Sequence, residues 1–534
     1  MTAIATPPVA APRGPRRHAR SEDTTPSEAL CAGVTAILAR RPAVGLSVGL
    51  VRVGRSAFCA RGFADVASNT PVTEDTIFRI GSITKTITAV AVMQLVERGL
   101  VDLDAPANAY LRAFRLVDRG FTPPTVRHLL THTAGIPDLR HLSDLRYGDL
   151  TPEGGRPPLL NVKFGEALPS LADYYRDGLE VVSEPGRTFA YSNHGFAALG
   201  QIIEDVSGVP VDRYFRDRIF EPLGMVDTDL VRSERIGARL AMAYAFGRGG
   251  PRPVPDRDWI GGAGGGLYST IGDLARYAAA LLGGGANEHG SILEPATLAT
   301  MFEPQYQPDP RLVGLGLGFF RADMGGHRVV SHDGIMPGFV SRLVVAPDDG
   351  VALIGLTNGW PGAFTWLDIE LDGLLAEQLG VPVGAPRPQA LHHPEVWSQL
   401  CGRYVYPPRI ADLRERLLLG GGAEVFVRGG QLMVRILTPI PVLLRGIPLE
   451  PDDPTDPYVF RLDLSPLGMS PVQAVFAGLG DGRATSVHTD LGGQPWSLVR
   501  AAERGATGAL RRGVVGALAV AGLLAVLRRR RPSR

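Results

Sequence analysis

Apolar residues change their spacing several times along this 534-residue chain, and each change marks an element. Glu28 to Arg40 has helical apolar spacing. Ala43 to Val53 is rich in Val and Leu and stops at Gly54, which predicts a strand and a turn, and Arg55 to Ala67 reads as a second strand. From Ser82 the pattern turns helical. Ile83, Ile87, Val90, Val92, Leu95 and Val96 are apolar nearly all round, and Gly99 follows as a stop. A helix of that kind is central and buried, with Ser82 at its N-terminus and Lys85 one turn on, on the same face. Shorter helical runs follow at Thr125–His132, Gly195–Val206 and Thr270–Leu282. Val329–Ser331, Phe339–Ala346 and Val351–Thr357 run apolar at strand length. Helices between terminal strand pairs predict one α+β layered domain over 28–385.

Pro, Gly and His cluster from Gly380 to Pro394, and a linker is placed at 386–396. Beyond it, short strand-like runs (Arg403–Tyr406, Arg416–Leu419, Glu424–Arg428, Gln431–Ile436, Tyr458–Leu464, Val472–Phe476 and Trp496–Arg500) predict a small all-β domain over 397–502, a sandwich or a barrel. Residues 508–531 hold a different signal. Gly513 to Leu527 is an uninterrupted apolar run of 15 residues, with Arg511-Arg512 before it and Arg528 to Arg531 after it. At about 1.5 Å per residue it reaches about 22 Å, against a hydrocarbon core of about 30 Å. A short, arginine-anchored membrane helix and a packing helix are both open readings. The first 27 residues, rich in Pro and Arg, read as a disordered leader. No apolar core follows Arg16-Arg17, so no signal peptide is read, and the catalytic domain is expected in the cytoplasm, with membrane association through the tail.

Composition narrows the function. A formal net charge of +1 leaves no electrostatic footprint for nucleic acid. Cys31, Cys59 and Cys401 match no metal spacing and read as buried or free thiols. His392-His393 lies in the linker, and the GGAGGG run at 261–266 lacks the spacing of a dinucleotide loop, so neither metal nor cofactor is expected. Of 55 cationic Lys and Arg residues, only Lys85 and Lys163 are lysine. A lysine kept in such a chain points to a task arginine cannot do, such as losing its proton.

Ser82 lies three residues before Lys85, in Gly81-Ser82-Ile83-Thr84-Lys85. A serine hydroxyl is a poor nucleophile without a base in hydrogen-bond reach, and Ser-x-x-Lys supplies one. The bland reading is a helix cap and a solvated cation. Tyr191-x-Asn193 adds a phenol that can act as general base and an amide that can bind a carbonyl. His332-Asp333-Gly334 sits at the edge of a predicted strand, with a glycine that allows close backbone approach.

Together these stretches resemble the β-lactamase-related serine hydrolases, which include class C β-lactamases, D,D-carboxypeptidases, D-aminopeptidases and carboxylesterases. Phe78 to Lys85, Val126 to Pro137, Pro185-Gly186 with Tyr191-Ser192-Asn193, Gly265 to Thr270 with Asp273-Leu274-Ala275, and His332 through Phe339 carry the likeness, in that order. The resemblance implies a β-lactamase/transpeptidase-like fold: an antiparallel sheet flanked by helices, plus a helical lobe, with the serine between them. The β-rich region resembles a barrel-type appendage of some members. The resemblance also implies that Ser82 is the nucleophile, Lys85 its base or proton shuttle, and Tyr191 a general base. Asn193 would position substrate, and the N–H groups of Ser82 and Ile335, beside Gly334, would form the oxyanion hole. His132 and Gly265-Gly266 read as structural. His332 stands where penicillin-recognising members carry lysine. An unperturbed histidine is only about a quarter protonated at pH 7, so small neutral esters, amides or D-amino-acid peptides are the expected substrates. A non-catalytic sensor that keeps the same pocket is the alternative.

Overall fold

The computed structural model describes residues 26–41, 43–138, 160–247, 249–360, 366–382, 390–407, 421–438, 441–464 and 471–502. Leader residues 1–25, linker residues 386–389, the Arg416–Leu419 run and the apolar tail at 508–531 lie outside the described residues. Among the described residues, no helix is long and apolar enough to cross a membrane.

The first domain is built on one antiparallel sheet of seven strands. We label them β1 (Gly45–Arg52), β2 (Arg55–Asp65), β3 (Thr70–Pro71), β4 (Phe320–Met324), β5 (His327–Met336), β6 (Phe339–Ala346) and β7 (Val351–Thr357). Their order is β4-β5-β6-β7-β1-β2-β3. The two ends of the domain therefore meet in mid-sheet, where Leu46 pairs with Thr357 and Arg52 with Val351.

Alternation along the strands gives the sheet two greasy faces. Val344 and Ala346 of β6 join Val48 and Leu353 under helices α1 (Pro26–Arg40) and α6 (Leu367–Leu379). Leu343, Val345 and Ile354 point the other way, toward α2 (Thr84–Glu97) and α5 (Ile271–Leu282). As its pattern predicts, α2 is the central helix: Thr84 to Met93 and Leu95 are all buried. The helical lobe includes α3 (Val126–Leu130) and α4 (Asn193–Ser207). Thr125 caps α3 reciprocally with His128, and Ser192 caps α4 through the N–H of Gly195.

The thiol expectation is corrected for two of the three cysteines. Helix α1 lies across β2, and this brings Cys31 and Cys59, 28 residues apart, to a Cα separation of 5.2 Å, bonded as a disulfide. Cys401 is a free thiol. The expected strand at Val329–Ser331 is longer than its apolar stretch, so His332 and Gly334 lie inside β5 and not at its edge.

Among the described residues, the second domain is a near-closed antiparallel barrel of nine strands. They are β8 (Gly402–Val405), β9 (Ala423–Arg428), β10 (Gln431–Ile436), β11 (Ile447–Pro448), β12 (Glu450–Pro451), β13 (Val459–Leu462), β14 (Val472–Gly480), β15 (Arg483–Thr489) and β16 (Trp496–Arg500). Its two edge strands, β11 and β12, are separated in sequence by Leu449 alone. The polar strand β15 and the two short edge strands were not legible as apolar runs.

Candidate active site

The site is assembled where α2, α4 and β5 converge. A 3₁₀ turn, Gly81–Ile83, leads into α2 and carries Ser82, which is half-buried. One turn on, Lys85 is fully buried. Its Nζ donates to Ser82 Oγ at 3.0 Å, to Asn193 Oδ1 at 2.6 Å and to the carbonyl of Gly264. The same nitrogen lies 4.9 Å from the ring centre of Tyr191 and 5.5 Å from that of Phe196. So the structure gathers Ser82, Lys85, Tyr191 and Asn193 around one amine.

Two glycines explain how the strand and the nucleophile turn approach so closely. Gly81 has φ +51°, and a Cβ there would sit 2.6 Å from the nitrogen of Ile335. At Gly334 a Cβ would fall 1.9 Å from the carbonyl oxygen of Ile80. Ser341 Oγ donates to that same carbonyl at 2.8 Å. The backbone of Gly334-Ile335 thus lies directly against the turn that presents Ser82, while the Ile335 side chain is exposed.

His332 is buried and faces aromatic rings, with its ring centre 4.9 Å from Phe320 and 6.5 Å from Tyr191. Its Nδ1 shares a 2.7 Å hydrogen bond with the carbonyl of Asp333, so Nδ1 carries the proton, and buried Nε2 has no partner. Burial, and then the nearby charge of Lys85, pushes its pKa down from 6.5 to about 4. It is neutral at pH 7.

One supporting residue, Asp138, escaped the sequence reading, and a second, His132, was read there as structural. Asp138 is buried and binds Asn193 twice, accepting from its backbone N at 2.5 Å and from Nδ2 at 2.6 Å. His132 has φ +56°, stacks on Tyr191 at 4.2 Å between ring centres, and accepts the N–H of Ser192 at Nδ1. Asp138 has no local signal. It sits 55 residues from Asn193, and only the folded lobe joins them. The reading of Gly265-Gly266 as structural extends to their neighbour, since the Gly264 carbonyl is a direct partner of Lys85. Among the described residues no group of three or more His, Cys, Asp or Glu side chains could hold a metal ion.

A hydroxyl held against a buried lysine at the start of a central helix, on this layered fold, is the arrangement of a serine hydrolase. Comparison with known proteins names the family: the Beta-lactamase family model matches residues 34–376, and the chain belongs to that family. Penicillin-binding protein 4 of Amycolatopsis lactamdurans is 30% identical over 345 residues, 62% of this chain and 86% of that protein. Esterase EstB of Burkholderia gladioli is 35% identical over 210 residues, 38% of this chain and 49% of the esterase, so this chain matches about half of that relative's length. Among solved structures, the octameric penicillin-binding protein homologue from Pyrococcus abyssi aligns with 89% of this chain and 100% of its own, at 26% identity and TM-score 0.57. That extent takes in at least part of the barrel. The D-amino acid amidase from Ochrobactrum anthropi SV3 aligns with 66% of this chain and 99% of its own, at 26% identity and TM-score 0.52.

Proposed function

We propose that this hydrolase cleaves small, uncharged esters or amides through an acyl-enzyme on Ser82. The observation that carries the reading is the 3.0 Å contact between Ser82 Oγ and the buried Nζ of Lys85. In its neutral form Lys85 keeps two N–H donors for Asn193 and Gly264 and turns its lone pair to Ser82. It then takes the hydroxyl proton as Oγ attacks the substrate carbonyl. Tyr191, with its ring beside the same amine, relays that proton to the departing alcohol or amine. The N–H groups of Ser82 and Ile335 hold the oxyanion of the tetrahedral intermediate. Water then adds to the acyl carbon, gives its proton back through Lys85 and Tyr191, and Ser82 leaves with its hydrogen restored.

The substrate class follows from His332. A neutral imidazole on this wall offers no fixed positive charge to a substrate carboxylate. An esterase and a D-amino acid amidase among the relatives fit this choice. The test is to react the protein with a fluorophosphonate, locate the adduct by mass spectrometry, and compare turnover of p-nitrophenyl acetate with that of benzylpenicillin. An adduct on Ser82 and a strong preference for the ester are expected. An adduct elsewhere, or penicillin turned over as fast as ester, would sink the reading.

A further inference from the structure

The barrel touches rings that pack against the candidate site. Trp496, the first residue of β16, packs on a cluster formed by Phe189, Leu315 and Phe320, and Tyr191 packs on the same cluster. The contacts form a continuous series. Trp496 meets Phe189 edge-on at 6.0 Å between ring centres, and Phe189 meets His132 edge-on at 5.9 Å. His132 stacks on Tyr191 at 4.2 Å. A second contact comes from the same corner of the barrel. Gly493 has φ +73°, and a Cβ there would lie 3.1 Å from Cβ of Phe320, whose ring is the nearest aromatic neighbour of His332. The corner is fixed to the hydrolase domain independently. Arg311 donates to Asp456 and to the carbonyl of Phe476, both at 2.9 Å, and Leu312 packs on Val459 and Val475.

We propose that Trp496 is a positioning residue: the barrel's Gly493–Trp496 corner sets the placement of Tyr191 and His332, and so the rate of acylation at Ser82. Tyr191 and His332 both pack on neighbouring rings, and the last ring on each side abuts the barrel. The indole N–H of Trp496 is buried with no hydrogen-bond partner, so its ring packing and not a polar bond fixes it. A displacement of about 1 Å at a reacting group costs up to about 100-fold in rate.

The proposal rests on the hydrolase reading, and Ser82→Ala separates the two. If Ser82→Ala keeps its ester turnover, the reading itself fails. With Ser82→Ala inactive, full-length Trp496→Ala is expected to lose about tenfold or more in kcat with KM within about twofold. Trp496→Phe restores most of the loss, because phenylalanine keeps the edge contact and never needed the orphan N–H. Val425→Ala, deep in the barrel and away from the interface, serves as the stability control. It lowers the melting temperature and leaves kcat alone. Three results overturn the proposal: Trp496→Ala at wild-type kcat, Trp496→Phe as impaired as Trp496→Ala, or Val425→Ala losing kcat in step with stability. If Trp496→Ala does not fold, Gly493→Ala tests the same contact from the Phe320 side, with a fall in kcat expected and an unchanged kcat overturning it.

Discussion

Asp138 dictates which way the side-chain amide of Asn193 points. Its Oδ2 takes the Nδ2 hydrogen at 2.6 Å, which turns Oδ1 toward Lys85 at 2.6 Å. The carboxylate and the amine thus agree on one orientation, because the flipped form would aim N–H at an amine that is itself a donor and oxygen at a carboxylate.

Asp138→Asn should therefore be damaging although it is nearly isosteric. An amide cannot accept at both positions, and one buried donor goes unpaired at a cost of about 1–3 kcal/mol. A fall of about 10- to 100-fold in kcat is expected, together with a lower melting temperature. Full activity in Asp138→Asn would mean that Asn193 is oriented by something else.

Lys85→Arg keeps a positive charge and loses the ability to release a proton. Guanidinium is also too large for a site closed by Ser82, Asn193, Gly264, Tyr191 and Phe196. Loss of proton transfer alone is worth about 10²–10⁴-fold in kcat. Stopped-flow ester hydrolysis measures it, and a loss under tenfold would remove Lys85 from the proton path.

His332 makes stability depend on pH in one direction. Its folded pKa of about 4 lies below the unfolded value of 6.5, so the unfolded chain binds more protons between those two values. Its contribution is whole above pH 6.5 and is lost as pH falls toward 4. At about 1.36 kcal/mol per unit, the loss is on the order of 3 kcal/mol. Chemical denaturation of wild type and His332→Gln at pH 7 and pH 4 checks this. The stability of wild type relative to the variant should drop by that amount on acidification, and a constant difference would contradict it.

The Cys31–Cys59 bridge closes a 28-residue separation. The chain-entropy estimate for such a loop is about 3–4 kcal/mol. Cys31→Ser with Cys59→Ser should lower unfolding stability by that order, while kcat stays within about twofold because the bridge lies on the α1 side of the sheet. Equal stability with and without reductant would show that the thiols are unbonded in solution.

Local chemistry was legible in the sequence, and long-range chemistry was not. Ser82 and Lys85 are neighbours on one helix turn, so spacing alone placed them together. The apolar periodicity of α2 announced a buried helix, and Lys85 is buried with it. Asp138, His132 and the Gly264 carbonyl reach the site through the fold, across tens to hundreds of residues. The Cys31–Cys59 pair failed for the same reason, since only the packing of α1 on β2 makes them neighbours. His332 was read as an unperturbed, partly protonated histidine. Burial, which no local pattern encodes, makes it a neutral one.

The sheet order has a consequence for synthesis on the ribosome. β1 is flanked by β2, which follows at once, and by β7, whose Thr357 pairs with Leu46. At about 5–20 residues per second, the second partner emerges roughly 15–60 s after the first. During that interval the β1–β2 hairpin carries an open, strongly apolar edge with the segment Gly45–Arg52 along it. A nascent chain of this protein is thus most exposed to mispairing before its last hydrolase strands appear, and it is the part of its life in which a chaperone that shields strand edges has most to contribute.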